Sequence, residues 1–113
     1  MVHIILRLRT KAAGATELSR ALRIVMLPAQ RDRACVGARL YVEVGEPDSL
    51  YYSEEWLTAE DLAREVQSPR FGRLLELMET AAEPPDLQFR FVAETRGLDY
   101  VAEVRGAQHP SAA

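Results

Sequence analysis

The fold is decided by residues 36–57, which read VGARLYVEVGEPDSLYYSEEWL. Val36 to Val44 alternate between two sets of side chains with the period of two that is typical of a half-buried strand. Gly45 to Asp48 have the composition of a turn. Leu50 to Leu57 again have strand character, so the simplest connection is an antiparallel hairpin. One face of this second strand carries Tyr52, Glu54 and Trp56, and the sequence leaves open whether that face points inward.

The segment before the hairpin predicts one strand and one helix. Val2 to Arg9 is rich in branched residues and reads as a strand. A turn at Lys11 to Gly14 follows, and Gln30 to Ala34 reads as a loop. Between them, apolar residues recur at the spacing of a one-faced helix that ends near Pro28: Leu18, Ala21, Leu22, Val25 and Met26.

The segment after the hairpin predicts two helices and then two strands. Thr58 is placed to cap a short helix that ends near Gln67. Ser68 and Pro69 form a second helix start, and Pro84-Pro85 stop that helix. Its predicted inner face carries Phe71, Leu74, Leu75 and Met78. The two closing strands are predicted at Leu87 to Glu94 and at Tyr100 to Val104.

The order of these elements predicts an α+β protein with a ferredoxin-like βαββαβ arrangement. In that arrangement the antiparallel sheet carries both helices on one face. We expect one domain over residues 1–106 and a flexible tail over 107–113. The uncovered face would hold either Ile5 or the set Ile4, Leu6 and Leu8, and an exposed apolar face usually marks an interface. The sequence therefore predicts a homodimer formed through the sheet face, a dimeric α+β barrel.

Composition excludes several classes of function. The 113 residues carry a net charge of −3, and the basic residues are scattered among the acids, so nucleic acid is not an expected partner. A single cysteine forms no internal disulfide. The apolar stretch His3 to Leu8 is too short to span a membrane. The single cysteine fits a reducing compartment, so we expect a cytoplasmic protein. The sequence has no metal-ligand or phosphate-binding motif, so we expect no metal or nucleotide cofactor.

Four short motifs occur in an order that resembles the antibiotic biosynthesis monooxygenase family. They are a glycine after the first strand (Gly14), the strand motif G-x-x-x-Y (Gly37 to Tyr41), the strand-end motif E-x-W (Glu54 to Trp56) and S-x-x-F (Ser68 to Phe71). The resemblance covers roughly residues 2 to 80. It implies a small dimeric ferredoxin-like protein, and a cofactor-independent monooxygenase acting on a small aromatic substrate such as a polyketide or quinol.

The sequence also departs from this family. Family enzymes commonly carry a histidine on the helix after E-x-W, where this chain has Glu65 and Arg70. In the haem-degrading branch of the family, the first strand carries an asparagine, and this chain has Arg7 near that place. The resemblance therefore favours an oxygenase over haem degradation, and no cofactor is expected.

The candidate site residues follow from the chemistry that such an oxidation needs, which is an apolar pocket, a group that favours the deprotonated substrate, and exclusion of water. A carboxylate in apolar surroundings serves as a base, and a histidine does so near neutral pH. The catalytic candidates are Glu54, Trp56 and His3. The substrate-binding candidates are Arg7, Tyr41, Tyr52, Glu65, Arg70 and Phe71.

Alternatives remain at this stage. A glutamate in a sheet is more often paired with an arginine, so Glu54 is also interpretable as a structural ion-pair partner of Arg39 or Arg7. If the face of Glu54 points inward, Phe71 and Leu75 would close the pocket. If side chains fill that pocket, the chain is a non-catalytic dimeric binding or interaction module of the same fold. A third alternative is an isomerase or cyclase that uses acid–base chemistry without oxygen.

Overall fold

The computed structural model describes residues 1–11 and 13–107. Four strands and four helices are formed within these residues, in the chain order β1 (Val2–Arg9), α1 (Ala15–Arg31), β2 (Cys35–Glu43), β3 (Glu46–Trp56), α2 (Ala59–Val66), α3 (Pro69–Met78), β4 (Asp86–Phe91) and α4 (Leu98–Ala107).

The strands form one antiparallel sheet in the order β2-β3-β1-β4. Helices α1 and α3 pack on one face of it, and their buried side chains join those of β1 and β3 in a single core. This arrangement confirms the predicted α+β, ferredoxin-like βαββαβ fold. We call the space between sheet and helices the sheet–helix layer.

Alternation along the two central strands decides which side chains enter this layer. Ile4, Leu6 and Leu8 of β1 are at most 1% exposed, so this set faces the helices. On β3 the alternating buried residues are Leu50, Tyr52, Glu54 and Trp56, and Ser49 is buried next to Leu50. The side chains between them, including Ile5, lie on the opposite, outer face. The outer face is therefore of mixed polarity, because the more apolar set of β1 lies under the helices.

Helix α1 continues past Pro28 to Arg31, so the prediction that it ends near Pro28 is wrong. A proline inside a helix leaves the carbonyl four residues earlier without its N–H donor. That carbonyl belongs to Ile24, whose side chain is 65% exposed, and Pro28 is itself exposed, so water can reach this side of the helix. Continuing the helix buries Ala29, which extends the apolar stripe of α1 by one more turn.

The hairpin turn is shorter than predicted. It consists of Val44 and Gly45, and Gly45 has a φ of 82°, a left-handed conformation that glycine adopts readily. Strand β3 already begins at Glu46, and its pairing with β2 is irregular between Val42 and Glu43. Pro47 lies in this irregular part, where a missing N–H donor is tolerated.

The prediction of a strand at Tyr100 to Val104 is wrong, because this segment lies in helix α4. The side chain of Arg96 binds Asp99 Oδ2 at 2.7 Å and Glu103 Oε2 at 2.6 Å, two acids that are one helical turn apart. Helix α4 lies away from the sheet–helix layer, and Leu98 at its start is 85% exposed. Most of the predicted tail, residues 108–113, lies outside the described residues.

Candidate functional site

The inward face of β3 builds a buried polar cluster against α2 and α3. We call it the Glu54 cluster; its members are Tyr52, Glu54, Trp56, Glu65 and Arg70. The alternation of β3 points the first three into the sheet–helix layer. Ser68 caps α3 by accepting a hydrogen bond from the Phe71 backbone N–H at 3.3 Å, and this places Arg70 in the first turn of the helix.

Glu54 has no exposed surface, and each of its carboxylate oxygens accepts two hydrogen bonds. Oε1 accepts from Trp56 Nε1 at 2.9 Å and from Arg70 Nη2 at 3.0 Å. Oε2 accepts from Arg70 Nη1 at 2.8 Å and from the Tyr52 hydroxyl. A carboxylate offers about four lone-pair sites. Glu54 therefore has none free to accept a proton from a substrate in this arrangement.

Arg70 connects four elements of the fold. Beyond its bidentate pair with Glu54 on β3, it binds the Glu65 carboxylate on α2 and the Val25 carbonyl of α1 at 3.1 Å. Burial lowers the pKa of Arg70, but the hydrogen bonds and charges of Glu54 and Glu65 raise it by more, so the net pKa lies above the usual range. Arg70 is thus a permanent cation, and its side chain is only 11% exposed.

Tyr52 stays a neutral hydrogen-bond donor in this cluster. Burial raises the pKa of its phenol, and the negative charge of Glu54 raises it further. A phenol that donates to a buried carboxylate cannot lose its proton without placing two negative charges side by side. Tyr52 therefore holds Glu54 in place and does not itself take part as a base.

The raised pKa of Tyr52 predicts a specific loss of stability at alkaline pH. Because the pKa of the phenol is higher in the folded state, the contribution of Tyr52 to the free energy of unfolding is complete below the unfolded pKa of about 10. That contribution is lost as the pH rises above this value. Above a pH of about 10, the free energy of unfolding of wild type should therefore fall with pH more steeply than that of Tyr52→Phe. The difference should reach about 1.4 kcal/mol per pH unit. Urea unfolding at a series of pH values measures this difference.

Tyr41→Phe is the matched control, because Tyr41 is 53% exposed and has no side-chain partner among the described residues. Its stability should follow wild type across the same pH range. If Tyr52→Phe also follows wild type above pH 10, the phenol does not keep its proton in the folded protein.

Three candidate residues lie apart from the Glu54 cluster, on the outer face of the sheet. These are His3, Arg7 and Tyr41. Arg7 pairs with Glu43 at 3.0 Å and lies 5.5 Å from the centre of the Tyr51 ring. The structure therefore divides the predicted site residues between two faces, with Tyr52, Glu54, Trp56, Glu65, Arg70 and Phe71 on the helix side.

The predicted ion-pair partners of Glu54 are wrong. Arg7 binds Glu43, and Arg39 lies 3.5 Å from Glu55, so both pairs are formed on the outer face. Glu54 lies on the opposite face of the sheet, where neither arginine can reach it. The interpretation of Glu54 as an ion-pair residue holds, but its partner is Arg70.

The predicted pocket beside Glu54 is filled by side chains. Trp56 and Tyr52 are each 1% exposed and Phe71 is 3% exposed. Leu75 does not close this region, because it is 43% exposed, and Leu77 is the residue of α3 that turns inward with Phe71 and Leu74.

A cavity of about 310 Å³ lies at the other end of the molecule, where β1 ends and α1 and α3 approach each other. Nothing in the sequence pattern predicts it. The apolar periodicity of α1 indicates Leu18 and Ala21, but as packed residues of the core. Its lining consists of Thr10, Lys11, Gly14, Glu17, Leu18, Ala21, Leu77 and Thr80. We call it the Thr10 cavity.

Two further observations concern ligands and membranes. Within residues 1–11 and 13–107, no group of three or more histidine, cysteine, aspartate or glutamate side chains is arranged to hold a metal ion. None of the helices in that part of the chain combines the length and the apolar character that crossing a membrane requires.

The chain has the fold of the antibiotic biosynthesis monooxygenases. A Deinococcus radiodurans protein assigned as one matches with a TM-score of 0.75 and 14% identity, over 86% of this chain and 97% of that one. A Nitrosomonas europaea protein of the same assignment matches with a TM-score of 0.72 and 15% identity, over 83% of this chain and all of that one.

A third solved structure, of an antibiotic biosynthesis monooxygenase, matches with a TM-score of 0.71 and 16% identity, over 83% of this chain and all of that one. The predicted resemblance is thereby confirmed at the level of the fold. No family model and no curated protein sequence matches this chain.

Proposed function

We propose that this chain is a cytoplasmic, homodimeric domain of the antibiotic biosynthesis monooxygenase type that binds a small aromatic molecule. Its candidate reaction is the oxidation of that molecule by O₂ without a cofactor. The observation that carries the proposal is the Thr10 cavity, an opening of about 310 Å³ with an apolar wall of Leu18, Ala21 and Leu77, in a fold that proteins named as such monooxygenases share. Small-molecule sites are typically concave and mostly apolar, with a few polar groups.

The oxidation itself makes two demands on the protein. A ring CH₂ group loses a proton to a base and becomes C=O, while O₂ gives one oxygen atom to that carbon and the other to water. The substrate supplies the electrons, so the protein supplies a proton acceptor and excludes water. Glu54 has four donors on its two oxygens, which supports a positioning role for it. Glu17 is the carboxylate that lines the Thr10 cavity, and we assign it the proton-accepting role.

The Glu54 cluster then supports the site indirectly. Arg70 joins β3 to all three of the helices α1, α2 and α3 through its bonds to Glu54, Val25 and Glu65, so it fixes the distance between sheet and helices. The same helices α1 and α3 form walls of the Thr10 cavity, which supports a role of the cluster in holding the cavity open. Trp56 and Phe71 pack in the same layer.

The dimer is proposed to form through the outer face of the sheet. No described helix covers this face, and it carries Ile5 and Tyr51 among the charged and polar side chains of His3, Arg7, Arg39 and Glu55. Multi-angle light scattering at micromolar concentration tests this proposal, and a strict monomer would contradict it.

A non-catalytic binding or interaction module is the second candidate function. It is favoured by the filled space beside Glu54, where the sequence predicted a substrate pocket. An activity that persists without O₂ would identify an isomerase or cyclase instead of an oxygenase.

Ligand binding and oxygen uptake together test the proposed function. We expect saturable thermal stabilisation by at least one compound among quinols, anthrones and flavonoids, with oxygen uptake for that compound. Glu17→Gln should keep the binding and lose most of the uptake, while Glu60→Gln, at an acid of α2 that does not line the cavity, should change neither. Binding without uptake favours the non-catalytic module, and no binding across the panel contradicts both.

A further inference from the structure

The hydroxyl group of Thr10 is an anomaly in the core. Thr10 is 7% exposed, and its Oγ1 has no hydrogen-bond partner among the described residues. Its backbone is held in place, since its N–H donates to the Asp48 carbonyl at 2.8 Å. Buried polar groups are almost always paired, so an unpaired one at a fixed position calls for a partner. Thr10 lines the cavity named after it.

The rest of the lining determines what that partner resembles. Leu18 and Leu77 are 8% and 7% exposed and form apolar walls. The Thr80 hydroxyl is already committed as a donor to the Leu77 carbonyl at 2.7 Å. Lys11 and Glu17 are exposed residues of opposite charge and are the two charged residues of the lining, so the lining carries no net charge. Among these lining groups, the Thr10 hydroxyl is the buried one without a hydrogen-bond partner among the described residues.

We propose that the Thr10 cavity binds a neutral, mostly apolar molecule that carries one hydroxyl group, and that Thr10 Oγ1 is the contact that selects for this hydroxyl. The inference rests on the proposed small-molecule function and specifies its site and ligand class. A hydroxyl fits because it both donates and accepts, as does the threonine. An apolar cavity of about 150 Å³ holds benzene. The larger volume here accommodates two fused rings.

Three naphthalenes of nearly equal size test the proposal: 2-naphthol, 2-methylnaphthalene and 2-naphthoate. Affinities are measured by protein-observed NMR titration on wild type and on Thr10→Val, which removes the hydroxyl but keeps the shape. The ratio of the methylnaphthalene Kd to the naphthol Kd should fall by about 3- to 10-fold in Thr10→Val, the range of one net hydrogen bond. 2-Naphthoate should bind wild type more weakly than 2-naphthol.

Two controls separate the contact from the site. Thr10→Val should have a melting temperature at least equal to that of wild type, because the substitution removes no hydrogen bond. A clear decrease would mean that the hydroxyl has a structural partner, and it would overturn the inference. Ala21→Phe fills the cavity and should abolish binding of both 2-naphthol and 2-methylnaphthalene.

The outcomes are distinguishable. If Ala21→Phe blocks binding but Thr10→Val leaves the Kd ratio unchanged, the selective role of Thr10 is wrong and the small-molecule function stands. If 2-naphthoate binds most tightly, the neutral ligand class is wrong. If binding survives Ala21→Phe, the site lies elsewhere and the inference is overturned. If none of the probes binds, the inference is also overturned, and the proposed function is then decided by the wider panel of quinols, anthrones and flavonoids.

Discussion

Arg70→Met should lower the free energy of unfolding by about 3–5 kcal/mol. The substitution keeps an unbranched side chain of comparable length but removes the cation that binds Glu54. Glu54 has no exposed surface, so its charge would remain buried with only Tyr52 and Trp56 as neutral donors among the described residues. Glu65 and the Val25 carbonyl lose a partner as well. Urea denaturation followed by the fluorescence of Trp56 measures the effect.

Arg73→Met is the matched control for this experiment. Arg73 lies on the same helix and also pairs with a glutamate, Glu76, at 3.0 Å, but both side chains are 60% or more exposed. Exposed pairs contribute about 0–1 kcal/mol. An equal cost for the two arginines would show that Arg70 does not connect sheet and helices in the way that the structure indicates.

The periodicity of the sequence is sufficient to predict the sheet and its neighbours. Alternation over Val2 to Arg9 and along β3 reflects a physical requirement, because one face of each strand must leave water. Ser68 and Pro69 mark the start of α3 for a similarly local reason, the capping of free N–H groups. Strand alternation alone therefore assigns Tyr52, Glu54 and Trp56 to one face of β3.

The partner of Glu54 could not be predicted from local patterns. Strand geometry suggests neighbours on adjacent strands, such as Arg39, but the partner is Arg70 on a helix packed over the sheet. That contact depends on how α3 is placed on β3, and no periodicity encodes it. The Thr10 cavity is unpredictable for the same reason, since it exists only where the ends of β1, α1 and α3 fail to fill the space between them.

Helix α4 shows a different limit of predicting secondary structure from the sequence. Tyr100, Val101 and Val104 have strand propensity, which is why the sequence predicts a strand there. In the structure this segment is helical, and Arg96 binds acids at positions 99 and 103 on one side of the helix. Strand propensity is a weak guide where few tertiary contacts fix a segment, because ion pairs at helical spacing then contribute a free energy of comparable size.

Glu54→Gln should lower the free energy of unfolding by about 3 kcal/mol, somewhat less than Arg70→Met. The amide keeps the shape of the side chain, and Arg70 retains Glu65 as a counter-charge, whereas Glu54 has no second cation among the described residues. Glu76→Gln, at the exposed pair on α3, should cost less than about 1 kcal/mol.

The double variant Glu54→Gln/Arg70→Met isolates the interaction between the two residues. If burial without a counter-charge is what makes Arg70→Met costly, then adding Glu54→Gln to it removes the unpaired charge and restores stability. We therefore expect the double variant to be more stable than Arg70→Met alone, with a coupling free energy of about 1.5–3 kcal/mol. Costs that simply add would mean that the two side chains stabilise the fold independently. In that case Arg70 would stabilise the fold through its bonds to Glu65 and the Val25 carbonyl and through packing, not through its pair with Glu54.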